Sequence, residues 1–133
     1  MVFSHPQHVP AAAALSRVLL GQDKGSVCCH SLAELYAVLT RLPLSPSIHP
    51  SEAHRLIDAN VLAHFQLVPL TVEDYRESLR ALAAAGWAGG LIYDALLLRA
   101  AEKCAAEQVF TFNASHFRRL AHGRELCARI GAP

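Results

Sequence analysis

Apolar residues crowd residues 9–20, the run VPAAAALSRVLL, and the glycines of GQDKG close it, which predicts a helix followed by a turn. The compact apolar stretch at 26–29 reads as a short strand. Beyond it, Leu32, Leu35, Tyr36 and Leu39 fall at helical spacing, so a helix opening at Ser31 and ending near Arg41 is expected. Pro43, Pro46 and Pro50 make LPLSPSIHP a loop, and Ser51 is placed to cap a helix running to about Phe65. QLVPL reads as a second strand. Thr71 followed three residues later by Asp74 has the capping-box pattern, and Gly86 supplies the left-handed residue that ends such a helix. A further helix, LIYDALLLRAAEKCAAE, opens after Gly89 and Gly90. The apolar run VFTF is a third strand, and a short basic helix over 117–121 follows it.

Strands separated by helices and long connections, with no hairpin dipeptide between them, imply parallel pairing, so the fold class is α/β. Open parallel sheets bind ligands beyond the carboxyl ends of their strands, which directs attention to Glu34 and Asn113. At 133 residues a single domain is expected, and 53% hydrophobic against 17% charged residues is too apolar for a disordered chain. The same hydrophobic content exceeds what one modest core hides, so a homodimer joined through helix faces around Leu35, Leu39 and Leu56 is expected.

A formal charge of +1 excludes a globally basic nucleic-acid binder and confines any such contact to a local patch. No apolar stretch reaches the roughly 18 residues that span a bilayer, and MVFSHPQHVP lacks the order of a signal peptide, so a cytoplasmic protein without membrane contact is expected. Cys28, Cys29, Cys104 and Cys127 form no CxxC pair and are expected as reduced thiols. His5 and His8 have metal-compatible spacing but no partner motif, and read as a turn or helix start. GWAGG offers no phosphate-binding glycine loop, and the aromatic residues are too few and too apolar in setting to form a stacking platform.

Asp94 is the sharpest anomaly, because it lies in the first turn of a helix that is apolar almost all round. Desolvating an unpaired carboxylate costs several kcal/mol, so Asp94 must meet donors, a basic residue or a cation. An N-terminal charge favoured by the helix dipole, or a bond to a backbone amide, would account for it without chemistry. For Glu34 the plain alternative is a capping box, since Ser31 precedes it by three residues. Two carboxylates and Asn113 converging at one sheet edge would instead form a site for a hard cation, Mg²⁺ or Mn²⁺.

SLAELYAVLTRL around Glu34, GGLIYDALLLRAA around Asp94 and TFNASHFRRL at residues 111–120 together resemble the PIN-domain family, in particular its VapC-type toxin nucleases. The resemblance covers about residues 5–120. It implies a parallel sheet wrapped by helices and a metal-dependent ribonuclease, in which Glu34 and Asp94 hold the metal, Asn113 orients a carboxylate or water, and His116 stands where many members place an Asp. RNA would be gripped by Arg118 and Arg119, with Arg99, Lys103 and Arg124 as weaker contacts, and a small antitoxin protein would be the partner. The family's opening strand, central to the sheet and ending in an Asp, has no counterpart before Glu34, and Asp23 lies in a turn at the wrong end of its strand. The resemblance therefore implies one PIN-like domain over residues 1–133 that lacks its first strand and is truncated at the N terminus. The alternative it leaves open is a non-catalytic PIN-like interaction module.

Overall fold

The structure, a computed structural model, describes residues 8–111 and 113–133. Helix α1 (His8–Leu19) leads into strand β1 (Gly25–Cys28), helix α2 (Cys29–Arg41), helix α3 (Pro50–Ile57) and a π-helical turn at Asp58–Leu62. Strand β2 (Phe65–Val68), helices α4 (Val72–Ala85) and α5 (Leu91–Lys103) and strand β3 (Val109–Phe110) follow. Helix α6 (Ala114–Leu120), a 3₁₀ turn at Glu125–Arg129 and strand β4 (Ile130–Gly131) complete the chain. All strand pairing is parallel, as the helical crossovers require. The strands form two separate pairs rather than one sheet: β1 lies on β2 with Gly25 opposite Phe65 and Cys28 opposite Val68, and β3 lies on β4. Among the described residues no strand joins the two pairs.

What spans both is α5. Its fully buried Leu98 packs with Leu82 of α4, Phe117 and Leu120 of α6, Leu126 and Ile130, beneath the second pair. Its Ala100 and Leu97 pack with Cys28 and Val68 beneath the first. At the opposite end of β1 a glycine sets the spacing, because a Cβ on Gly25 would lie 2.6 Å from the Phe65 ring and 2.7 Å from Val18 of α1. Only a residue without a side chain lets α1 and Phe65 approach the strand that closely.

Local chemistry sets the helix ends. Thr71 and Asp74 form the expected capping box: the Asp74 amide donates to Thr71 Oγ1 (3.2 Å) and the Thr71 amide to Asp74 Oδ2 (2.8 Å). Gly86 closes α4 at φ 70°. Several boundaries differ from the sequence expectation. The helix beginning near Ser51 is α-helical only to Ile57 before it widens into the π-helical turn. Helix α5 stops at Lys103, where Ala105 takes φ 50°, its amide donating to the Glu102 carbonyl and that of Ala106 to the Ala101 carbonyl. This is a Schellman ending on an alanine, so no glycine marks it in the sequence. The C-terminal 3₁₀ turn and β4 were also not expected, being too short for any periodicity to show. No helix among the described residues is long and apolar enough to cross a membrane.

Asp74, 3% exposed, also ties α4 to α5. Its carboxylate accepts from Lys103 Nζ at 2.6 Å and Arg99 Nε at 2.8 Å, and Lys103 Nζ donates onward to the Pro69 carbonyl. Lys103, the Thr71 amide and Arg99, in that order, hold the Asp74 carboxyl well below the usual carboxylate range. Unfolded, it titrates near the ordinary value of about 3.9. Its contribution to stability is thus complete above that pH and is lost as the pH falls beneath it. Asp74→Asn is expected to lower the thermal midpoint by several degrees at pH 7, with the deficit shrinking below about pH 4. Melting both proteins across that range checks it, and a deficit independent of pH would show that the carboxylate's charge is not what matters.

Candidate active site

Helix α2 begins at Cys29, directly after β1, with Cys28 as an N-cap that makes no side-chain capping bond. The helix thus starts two residues earlier than Ser31, and Glu34 falls in its second turn. That placement removes the capping-box role open to Glu34. Its carboxylate instead lies 3.2 Å from His30 Nε2, one helical turn back, and its side chain is 47% exposed. The His30 ring in turn stacks on Tyr93 of α5, with centroids 5.3 Å apart and planes 15° from parallel. This contact joins the N-terminal ends of α2 and α5.

Asp94 follows Tyr93 in the first turn of α5, whose N-cap, Gly90, has no side chain to bond the helix amides. The residue is half-buried, and among the described residues its carboxylate makes no hydrogen bond or ion pair. Burial pushes its pKa up; His116 opposes that rise and the Glu34 carboxylate adds to it. Asp94 therefore feels the charge of both groups, one from α2 and one from α6. Asn113, the N-cap of α6, is exposed, makes no side-chain capping bond and donates its amide to Thr111 Oγ1 at 3.0 Å.

The expected substrate-gripping cations are engaged within the protein. Arg118 Nη2 donates to the Ile130 carbonyl at 2.8 Å, and the Arg119 guanidinium sits 4.9 Å over the Trp87 ring. Arg99 and Lys103 hold Asp74, and Arg124 pairs with Glu102 at 2.9 Å. In the other direction, His30 and Tyr93 escaped notice in the sequence. Tyr93 is 48% exposed and stacks on His30, and Asp94 follows it in the chain. The i,i+4 pair of His30 and Glu34 was the available signal.

Among the described residues no group of three or more His, Cys, Asp or Glu is gathered to hold a metal ion. Two hard oxygen donors are nevertheless the usual protein share of a hydrated Mg²⁺, whose other positions go to water and substrate phosphates. The Asp94 carboxylate, half-buried and raised in pKa first by burial and least by the Glu34 charge, has the chemistry that a hard cation would offset. The four cysteines are free, and burial pushes the Cys28 thiol up. His5 lies outside the described residues.

Residues 1–123 match the family model described as PIN domain. Over 84 residues the chain is 39% identical to Ribonuclease VapC27 of Mycobacterium tuberculosis, an alignment taking in 63% of this chain and 59% of that relative. The chain thus spans less than two thirds of the length of the curated relative it matches. No solved structure gives a significant match.

Because the folded protein raises the pKa of Asp94, it binds that proton more tightly than the unfolded chain does, and stability falls as the pH rises through this range. Asp94→Asn is therefore expected to melt higher than the natural protein at pH 7 and to match it near pH 3. Calorimetry at the two pH values reads this, and a variant that melts lower at pH 7 would contradict it.

Proposed function

The chain belongs to the PIN-domain family and is VapC-like within it, and on that premise we propose a metal-dependent endoribonuclease, the toxin of a type II toxin–antitoxin pair. The observation that carries this reading is the partly desolvated Asp94 carboxylate, influenced by both Glu34 and His116. Such a pair of carboxylates is an unfavourable arrangement on its own and a useful one around a cation. Glu34 and Asp94 would hold Mg²⁺ or Mn²⁺. When bound, the ion supplies a more acidic water and offsets charge on the scissile phosphate.

The remaining roles fall to the chain's own side chains. His30 holds Glu34 from one turn back, fixing its carboxylate on the side of α2 nearest Tyr93. Asn113, whose side chain is not spent on capping α6, orients water or a carboxylate. His116 lines the mouth, where an imidazolium would favour both the Asp94 carboxylate and a phosphate. The donors that Arg118 and Arg119 do not spend on Ile130 and Trp87 remain for RNA phosphates. A small antitoxin protein as partner and a cytoplasmic location complete the proposal. The absence of a three-residue metal cluster among the described residues favours a second reading, a non-catalytic interaction module of the same family.

Glu34→Gln and Asp94→Asn are each expected to reduce RNA cleavage by on the order of 100-fold or more, and a chelator should abolish it until Mg²⁺ or Mn²⁺ is returned. Folded natural protein with no cleavage in either metal would favour the interaction module.

Self-association is proposed through α2 and α3. Helix α2 has no fully buried residue along its 13: Leu35 and Leu39 are half-buried, and Tyr36 and Val38, with Leu56 of α3, are exposed. Covering such a face is favourable at about 25 cal/mol per Å² of apolar surface. Sedimentation at tens of micromolar, on the order of the range for an ordinary dimer, should give a dimer, and Val38→Glu should give a monomer. A monomeric natural protein would refute the contact.

A further inference from the structure

We propose that Tyr93, backed by His30, is a stacking subsite for one unpaired RNA base next to the scissile phosphate. The inference rests on the ribonuclease reading above and adds a determinant of where the RNA sits. Its observations are geometric. The Tyr93 ring is held nearly parallel to the His30 ring at 5.3 Å, within the range of offset-stacked aromatic pairs. The residue is nevertheless 48% exposed, so the stack on His30 does not bury it. An aromatic ring fixed on one face and open elsewhere is already ordered, so a base that stacks on it meets little further entropic cost.

Position ties the ring to the chemistry. The His30 ring that stacks on Tyr93 lies 3.2 Å from the Glu34 carboxylate, and Asp94 shares the first turn of α5 with Tyr93. A base on Tyr93 would therefore hold its own or the adjoining phosphate near both carboxylates. Electrostatics favours the same assignment. Glu34 and Asp94 repel a phosphate until a cation intervenes, so a neutral contact next to them can hold the nucleotide without that cation. A π-face accepts any base, and only an unstacked one can reach it, which selects single-stranded RNA over a helix.

The test measures binding of a short single-stranded oligoribonucleotide without divalent ions. The full chain carries Asp94→Asn, which prevents cleavage and removes one repelling charge. Adding Tyr93→Leu should weaken binding about 10-fold, the size expected for loss of one base stack, and Tyr93→Phe should restore what Tyr93→Leu loses. A matching set of RNAs, each lacking a single base, should contain one position whose loss weakens binding comparably when Tyr93 is present and has little effect in Tyr93→Leu. Equal binding by the Tyr93→Leu protein overturns the subsite, including the case in which a partner protein covers the ring, and leaves the nuclease reading standing. Weakened binding with no such position means that the ring only joins α2 to α5, and also overturns it. Should Tyr93→Leu fail to fold, the set of RNAs on the Tyr93 protein decides alone, and the absence of any sensitive position overturns the subsite. No binding of RNA by the Tyr93 protein without divalent ions overturns the subsite, and cleavage by the natural protein in Mg²⁺ or Mn²⁺ decides the nuclease reading separately.

Discussion

Asp74 is a buried carboxylate that three different parts of the chain need at once. It caps the helix in which it lies, it neutralises Arg99 and Lys103 on the next helix, and through Lys103 it reaches the Pro69 carbonyl just past β2. Removing a charge from water is costly unless its partners are close and its lone pairs are used. Here two cations and a backbone amide meet that demand. The result is that α5, the helix both hydrophobic clusters share, is anchored at its C-terminal end by ionic contacts, while its N-terminal end is left to present Tyr93 and Asp94.

The two ends of α5 thus treat a carboxylate in opposite ways. At one end Asp74 is surrounded by donors and its pKa is depressed; at the other Asp94 is half-buried without a donor among the described residues, and burial raises its pKa. The first arrangement favours folding and the second opposes it. A group kept in an environment that favours its neutral form is a common mark of a functional position. The distribution of cations follows the same division, since Arg99, Lys103 and Arg124 all lie on the structural side of this contrast.

Some of this was legible in the sequence. The apolar run around Asp94 marked it as a carboxylate in the wrong company, and the Thr71–Asp74 spacing gave both bonds of a real capping box. The identical logic failed at Ser31 and Glu34, because β1 passes directly into α2 at Cys29 and leaves Ser31 inside the first turn. A local pattern cannot report where the preceding strand ends. The use made of Arg118, which reaches the carbonyl of Ile130, and the meeting of His30 with Tyr93 depend on tertiary contacts between distant segments. Ala105 is a different case: its left-handed backbone is imposed by the Schellman bonds, and alanine carries no signal for it.

The division of the strands into two parallel pairs has a mechanical consequence. Glu34 stands on the helix that leaves the first pair, His116 on the helix that leaves the second, and Asp94 on the helix packed beneath both. No ladder of hydrogen bonds among the described strands stiffens the span between the outer two groups. Its stiffness comes from side-chain packing on α5 and from one aromatic contact, which resist shear far less than a continuous sheet does. The spacing between α2 and α6 is therefore set by how each packs against α5, and a substitution in that packing would move Glu34 relative to His116 without breaking a single strand hydrogen bond.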